Sequence, residues 1–163
     1  MAADRKTLEA RLAQLGIGAK TTEHAPVFTV AESVELRESI PGAHTKNLFL
    51  TDPDGRMVLV TAKDDTRVDL KALAKKLGFG RFSFGKADRL EAVLGISPGS
   101  VTPFALMNPS AASVAVVVDA AIMEFAEVNC HPLENTATTT LATPDLIRFI
   151  KECGHEPLIL ALA

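Results

Sequence analysis

A chain of 163 residues, 47% hydrophobic and 23% charged, has the size and composition of one ordinary globular domain, so we expect a single domain over residues 1–163. A formal net charge of −3 excludes a general nucleic-acid coat protein, and the lack of Trp and Tyr makes base stacking a weak expectation. The charged N-terminus lacks a signal-peptide core and no apolar run approaches the ~20 residues of a membrane span, which predicts a cytoplasmic protein without a membrane partner.

The first half of the chain predicts helices and strands in alternation. Leucines at helical spacing in "LEARLAQLG" predict a first helix that Gly16 ends, and "AKTTEHA" predicts a short strand. Thr29 and Glu32 have the spacing of a capping box for the helix "VAESVELRES", which Pro41 stops. The runs "TKNLFLTD" and "RMVLVTA" flank the turn "PDG" and predict a β-hairpin.

The second half continues this alternation. Asp65 or Thr66 begins a predicted helix through "VDLKALAKKLG", residues 79–84 predict a short strand, and "KADRLEAVLG" predicts a further helix closed by its glycine. The β-branched run "SVAVVVDAAI" predicts a central strand with "FAEVNC" as its antiparallel partner. Thr143 is the predicted N-cap of "PDLIRFIKECG", and "EPLILALA" a last strand. Hairpins among scattered helices favour an α+β domain with a mixed, largely antiparallel sheet.

Basic side chains are concentrated in the middle of the chain. Residues 61–91 carry eight basic and five acidic side chains, whereas residues 92–163 carry two and seven. The basic group forms either a phosphate-binding patch or an ordinary solvated helix surface. Its members are Arg67, Lys71, Lys75, Lys76, Arg81, Lys86 and Arg89.

Two polar features accompany the predicted strands and loops of the middle region. Strand alternation puts Lys46 on the face of Leu48 and Asn47 on the opposite face, so Lys46 either extends from a sheet edge towards water or directs a cation into a cleft. In "GSVTP", Gly99 permits close backbone approach and Pro103 keeps its predecessor extended. Such a loop binds a carbonyl or phosphate through N–H groups, or is an ordinary turn.

The stretch "HPLENTATTT" interrupts two well-patterned elements. His131 can move a proton near neutral pH or merely cap a strand end. A nucleophilic pair with Cys130 is disfavoured because neighbours on a strand point to opposite faces, and His131, Cys153 and His155 lack metal-ligand spacing. The threonines line a polar pocket or satisfy backbone groups on a half-buried strand.

Three segments together resemble the YbaK/prolyl-tRNA-synthetase-associated domain family. They are "HTKNLFLTD", "KADRLEAVLGISPGSVTPFALMN" and "HPLENTATTTLATPDLIRFIKECGHEP", and the match runs from about residue 20 to the end of the chain. More narrowly, they are similar to its freestanding branch, prolyl-tRNA editing proteins that deacylate alanine mischarged on tRNA(Pro). The resemblance implies a strongly curved, largely antiparallel sheet flanked by helices.

The resemblance also implies roles for individual residues. Lys46, Gly99 and His131 become the catalytic candidates. The implied substrate-binding residues are Asn47, Ser100, Val101, Thr102, Pro103, Asn135 and Thr136, and the basic candidates for tRNA contact are Arg67, Lys71, Lys75 and Lys76. The backbone of residues 99–103 would position the ester carbonyl, and Lys46 would contact the tRNA 3′ end.

The implied activity is hydrolysis of Ala-tRNA(Pro) without a metal or cofactor. The partner would be the tRNA acceptor end carrying a small amino acid, together with prolyl-tRNA synthetase or an elongation factor. Related branches act on cysteinyl or other small aminoacyl esters, so those substrates remain alternatives. A module that binds tRNA without catalysis and a hydrolase of another small ester that uses Cys130 are the two rival functions.

Overall fold

Five α-helices and eight β-strands alternate along the residues that the computed structural model describes, 2–26 and 30–162. Four 3-10 turns, Pro98–Ser100, Pro103–Met107, Pro109–Ala111 and Ala120–Glu124, connect the later elements. In chain order, the elements are α1 (Arg5–Gln14), β1 (Ala19–Glu23), α2 (Val30–Ser39), β2 (Ala43–Thr51), β3 (Met57–Lys63), α3 (Leu70–Leu77), β4 (Ser83–Phe84), α4 (Ala87–Leu94), β5 (Ala115–Asp119), β6 (Glu127–Cys130), β7 (Ala137–Ala142), α5 (Thr143–Glu152) and β8 (Leu158–Leu160).

The strands form one mixed sheet in the order β1-β7-β6-β2-β3-β5-β8, with β4 added beside β2. The pairs β1–β7, β6–β7, β2–β3 and β2–β4 are antiparallel, whereas β2–β6, β3–β5 and β5–β8 are parallel. This confirms the predicted mixed, largely antiparallel sheet. The hairpin around "PDG" is also confirmed, since β2 and β3 pair from Thr45↔Lys63 to Thr51↔Met57.

The predicted antiparallel pairing of "SVAVVVDAAI" with "FAEVNC" is wrong. The first segment contains β5, which lies parallel to β3 and β8, and the second contains β6, which lies between β2 and β7. The 3-10 turn Ala120–Glu124 separates the two strands and leads the chain to another part of the sheet. A continuous apolar run such as that of β5 is typical of a strand buried between two parallel neighbours. This pattern agrees with the observed place of β5 between β3 and β8 and not with a β5–β6 hairpin.

Apolar side chains cover both faces of the sheet. On one face, α1, α4, α5 and the Pro103–Met107 turn form the larger cluster, in which the Phe104 and Phe149 rings meet edge to face at 5.3 Å. On the other face, Leu73 and Ala74 of α3 pack with Leu50 and Ala62. Among residues 2–26 and 30–162, no helix is long and apolar enough to cross a membrane.

Two predicted element ends differ from the structure. The third helix begins at Leu70, because the Asp69 carboxylate accepts from Ala72 N at 3.0 Å and caps it; Asp65 and Thr66 precede it in a turn. Thr143 is the first residue of α5 and not its N-cap, since its hydroxyl donates to Phe125 O at 2.6 Å. The Thr29 cap predicted for α2 lies outside the described residues.

The predicted strand over residues 79–84 shortens to Ser83–Phe84. Phe79 N donates to Ala74 O at 2.9 Å and so closes α3, and Gly80 N donates to Asp52 Oδ2 at 3.1 Å. These bonds turn the backbone of residues 79 and 80 away from β2. Only the last two residues then reach β2, where they pair with Leu50 and Thr51.

The second strand, β2, has a gap in its strand pairing along one edge. On one side it pairs with β3 from residue 45 onwards. On its other side β6 pairs only with Ala43 and His44, and β4 only with Leu50 and Thr51. Within the described chain, residues 45–48 therefore have no neighbouring strand on that side. Lys46 and Asn47 lie at this gap.

Candidate functional site

A cavity of about 250 Å³ lies where the start of β2 meets the end of β6. Its wall includes residues of helix α2, Cys130 at the end of β6, and Asp64, the residue after β3. The lining residues are Leu36, Arg37, His44, Thr45, Asp64, Asn129, Cys130, His131 and Thr138. His44 and Thr45 are adjacent on a strand and point to opposite faces, so the cavity wraps around the sheet edge at the gap.

Asn129 fixes the start of β2 against β6. Its side chain is 2% exposed, and its Nδ2 donates to Pro41 O at 3.1 Å and to Ala43 O at 3.2 Å, while its Oδ1 accepts from Thr140 Oγ. Gly42 is required here, since its φ is +103° and a Cβ would lie 3.0 Å from Glu127 O. The residues that line the cavity from β2 are thereby held in register with those from β6.

His131 lies half-buried in the cavity wall with one ring nitrogen already engaged. The Ala137 carbonyl accepts at 3.2 Å, so His131 Nδ1 carries the proton and Nε2 is left as an acceptor in the neutral ring. Burial lowers the pKa of His131, and the neighbouring His24 lowers it further against the opposing effect of the Ala137 bond. The side chain is therefore a neutral acceptor at neutral pH.

Cys130 forms part of the cavity floor but is unsuited to nucleophilic attack. It is 2% exposed, and burial raises the pKa of its thiol to about 12, so the reactive thiolate is scarce at neutral pH. The Thr45 hydroxyl oxygen lies 3.8 Å from Cys130 Sγ, and this hydroxyl donates to Asn129 O at 2.6 Å. The environment argues against the rival hydrolase that uses Cys130.

Lys46 and Asn47 lie at the gap in β2 on opposite faces of the sheet. Lys46 pairs in register with Ala62 and, within residues 2–26 and 30–162, its ammonium group makes no ion pair. Asn47 Oδ1 accepts from the buried Thr61 hydroxyl at 2.6 Å, which orients the amide and leaves its N–H groups for another partner. Both side chains are half-buried.

The loop at residues 99–103 presents backbone and little else. Ser100, Thr102 and Pro103 are buried, and Thr102 Oγ accepts from Phe104 N at 3.3 Å. Ser100 N donates to Ser97 O, but the Gly99 and Val101 N–H groups have no acceptor among the described residues. Because these three side chains are buried, a substrate contact of the loop would be made by its backbone, and the substrate-binding role of residues 99–103 stays a prediction.

The turn at residues 131–136 connects this loop to the cavity. A Cβ at Gly99 would lie 3.3 Å from Asn135 Nδ2, so the loop contacts the turn whose first residue, His131, lines the cavity. Leu133 has a left-handed φ of 69° and packs against the core. Asn135 is half-buried and Thr136 exposed.

An ion pair anchors the same turn to the first helix. Arg5 Nη1 lies 2.8 Å from Glu134 Oε1 and 2.9 Å from Glu23 Oε1, and the hydrogen bonds that Arg5 donates to Glu134, Glu9 and Glu23 raise its pKa. No local pattern indicated this contact, because Glu134 and Glu23 lie 129 and 18 residues from Arg5.

The predicted basic residues divide into separate groups. Lys71 and Lys75 line a groove of about 720 Å³ together with Arg81, Phe79 and Phe82. Lys76 lines a different depression beside Leu162, and Arg67 precedes α3. Leu48 and Leu50 pack with α3 on the face that also carries Lys46, so the groove lies on the Lys46 side of the sheet.

The cavity also contains residues that the sequence did not single out. They are Leu36, Arg37, His44, Thr45, Asp64 and Asn129, whereas Thr138 belongs to the threonine run for which the sequence predicted either a polar pocket or hydrogen bonds to the backbone. Asn129 follows the predicted strand pattern, but its role depends on the parallel β2–β6 pairing, which no local pattern indicates. Cys153 and His155 lie beside a different depression with Arg11 and Glu152, away from His131.

Known proteins match nearly all of this chain. Prolyl-tRNA synthetase associated domain-containing protein 1 from Bos taurus is 39% identical over 161 residues, covering 96% of this chain and 94% of that protein. Prolyl-tRNA editing protein ProX from Acetoanaerobium sticklandii is 36% identical over 152 residues, covering 93% of both. A crystal structure described as a candidate trans-editing enzyme for prolyl tRNA synthetase shares the fold, with a TM-score of 0.76 at 16% identity over 99% of this chain and 98% of that one.

The family match agrees with the resemblance found in the three sequence segments. Residues 24–149 match the aminoacyl-tRNA editing domain, a range that contains β2, the 99–103 loop and His131. The predicted family is confirmed: this chain belongs to the aminoacyl-tRNA editing domain family, in its prolyl-tRNA-synthetase-associated group.

Proposed function

We propose that this protein is a trans-editing deacylase that hydrolyses mischarged tRNA(Pro), with Ala-tRNA(Pro) as its principal substrate. The observation that carries the proposal is the match, over 93% of both chains, to a relative named as a prolyl-tRNA editing protein. Aminoacyl-tRNA deacylation is the activity class of this family, and the alanine specificity is the proposed refinement. The partner is the aminoacylated acceptor end, and prolyl-tRNA synthetase is the proposed protein associate.

The cavity supports hydrolysis by positioning. An aminoacyl ester is activated by its neighbouring ribose hydroxyl and its α-ammonium group, so water attack needs orientation and stabilisation of the oxyanion more than a strong nucleophile. The Gly99 and Val101 N–H groups supply unpaired donors for the carbonyl oxygen. His131 Nε2 supplies an acceptor for the attacking water or the terminal ribose hydroxyl. In this mechanism Cys130 remains protonated and takes no part.

The gap in β2 supports a path for the tRNA end. Lys46, unpaired within the described chain, is available to a terminal phosphate, and Asn47 offers amide donors on the opposite face. Lys71 and Lys75, on the Lys46 side of the sheet, would contact the acceptor stem. The proposed basis of selectivity is the size of the amino acid on the ester. Proline is rejected by steric clash, whereas the one methyl group that distinguishes alanine from glycine changes the binding free energy by only about 1–3 kcal/mol.

The test is a deacylation panel with alanyl-, cysteinyl-, glycyl- and prolyl-tRNA(Pro), comparing the wild type with Lys46→Ala. We expect alanyl-tRNA to be the preferred substrate, prolyl-tRNA to be spared, and Lys46→Ala to lose at least about tenfold in kcat/KM, the scale of one charge-assisted contact. Lys151→Ala, on α5 at the opposite face of the sheet, is the matched control.

Each other result has a definite meaning. Preference for cysteinyl-tRNA would replace the alanine specificity but keep the activity class. Binding of tRNA without hydrolysis of any ester would favour the noncatalytic tRNA-binding module. An unchanged rate for Lys46→Ala would remove Lys46 from the site.

A further inference from the structure

One acidic side chain lines the cavity. Asp64 directly follows β3, and its backbone N–H donates to His44 O at 2.9 Å, which ties it to the start of β2. Its side chain is only 18% exposed. Among the lining residues that the structure describes, Asp64 is the sole carboxylate and Arg37 the sole arginine or lysine.

The Asp64 carboxylate is held in place but is not fully used. Arg37 Nε lies 2.7 Å from Asp64 Oδ2, and the other oxygen, Oδ1, has no partner among residues 2–26 and 30–162. Arg37 is 46% exposed, so water screens its charge more than that of the sheltered carboxylate. A carboxylate has about four acceptor positions, so a second cation can bind without displacing the arginine.

The remaining polar groups of the cavity offer no competing negative charge. Burial lowers the pKa of His131, which keeps the ring neutral, and raises the pKa of the Cys130 thiol to about 12, which keeps the thiol protonated. His44 Nε2–H donates to Ile40 O at 2.7 Å. A ligand with one positive charge would therefore find its complement at Asp64.

The substrate class in the proposed function carries such a charge. The α-amino group of an aminoacyl ester is an ammonium group near neutral pH, since free α-amino groups have a pKa of about 8. It is separated from the ester carbonyl by one carbon atom. An anchor for the ammonium group therefore also orients the carbonyl that water attacks.

We propose that Asp64 is the residue that selects the protonated α-amino group of the aminoacyl ester, with Arg37 fixing the carboxylate orientation. This assignment rests on the proposed deacylase function and adds to it a determinant of substrate chemistry. An ester that is similar in size but lacks the ammonium group loses this contact. The site thereby discriminates aminoacyl-tRNA from tRNA carrying hydroxyacyl or N-acylated groups.

The experiment compares alanyl-tRNA(Pro) with lactyl-tRNA(Pro), in which a hydroxyl group replaces the ammonium group at nearly unchanged size. The intrinsic difference in ester reactivity is the same for every variant and cancels when kcat/KM ratios are compared. We expect Asp64→Asn to lower kcat/KM for the alanyl ester by about tenfold to a hundredfold, the range of a charge-assisted hydrogen bond, and to change the lactyl rate by less than about threefold.

Two further variants make the test specific. Asp65→Asn is the matched control, because Asp65 is the next residue, is 63% exposed and pairs with Lys63 outside the cavity; it should change neither rate. Arg37→Gln keeps the carboxylate but loosens its orientation, so the alanyl preference should fall by less than it does in Asp64→Asn. Urea unfolding of each variant checks that the fold is intact.

Contrary outcomes separate this assignment from the function on which it rests. Equal loss on both esters in Asp64→Asn, or no loss on either, would overturn the ammonium assignment while leaving the deacylase intact. A collapse of the alanyl preference in Arg37→Gln as large as that in Asp64→Asn would show that the ion pair acts as a structural brace, and would also overturn the assignment. A wild-type protein inactive on both esters would instead overturn the proposed deacylase.

Discussion

Replacing Asn129 by alanine should reduce activity through the position of β2. The change removes bonds to Pro41 O, Ala43 O and Thr140 Oγ, at about 1 kcal/mol each, so we expect about 3 kcal/mol lower stability. The start of β2, including Thr45 and Lys46, would lose its register against β6. Misplacement of substrate-positioning groups by about 1 Å can cost a hundredfold, so a loss of at least tenfold in kcat/KM is expected.

Asn108 provides the matched control for this prediction. It is 4% exposed and its side chain bonds to Leu94 O at 2.9 Å and to Ala3 N at 2.7 Å, away from the cavity. Asn108→Ala should lose about 2 kcal/mol by the same estimate but retain deacylation of Ala-tRNA(Pro). Urea midpoints and rates measured well below both melting temperatures separate the effects. Equal activities for the two variants would refute the register argument.

Four further predictions concern the site directly. Cys130→Ala should retain deacylase activity, because burial holds the pKa of the thiol at about 12; loss of activity with an intact fold would revive the rival cysteine hydrolase. Gly99→Ala should displace the Asn135 amide, 3.3 Å from the new Cβ, and lower kcat several-fold without changing the urea midpoint. Burial lowers the pKa of His131, so kcat/KM should persist through about pH 6.5, the ordinary histidine value, and fall only below it; His131→Asn should lack this acid limb. As the pH falls, His131 is protonated in the unfolded chain before it is protonated in the folded chain, so the free energy of unfolding should decrease below about pH 6.5. Lys71→Glu with Lys75→Glu should raise KM for tRNA and flatten its salt dependence, whereas Lys151→Glu should not.

Local chemistry made much of the fold readable from the sequence. The Asp-Gly turn between two alternating runs specified the β2–β3 hairpin, and Gly95, with φ 68°, ends α4 as its position predicts. The same rules failed where tertiary contacts determine the backbone conformation. Residues 79–84 have the composition of a strand, but the bonds of Phe79 to α3 and of Gly80 to Asp52 leave only two residues to pair.

The residues of the candidate site likewise divide into those that local sequence motifs identify and those that only tertiary pairing brings together. The family motifs in the sequence identified Lys46, Gly99 and His131 as catalytic candidates and Asn47 as a substrate-binding one, and these roles stay predictions. Asp64 and Asn129 belong to no such motif. Asn129 reaches the cavity because β6 lies parallel to β2, and parallel pairing between distant segments has no turn or spacing signature in the sequence. Asp64 reaches it at the end of β3, where its backbone N–H donates to His44 O of β2.

The gap along β2 bears on the smallest molecule that this protein can process. Lys46 and Asn47 are consecutive residues on opposite sides of the sheet, and only at the unpaired stretch 45–48 can one ligand reach both. If the ester lies towards Asn47 and a phosphate towards Lys46, recognition requires a ligand long enough to pass around the strand edge. Alanine methyl ester would then be a poor substrate at any concentration, and an alanylated CCA trinucleotide would be the shortest efficient one.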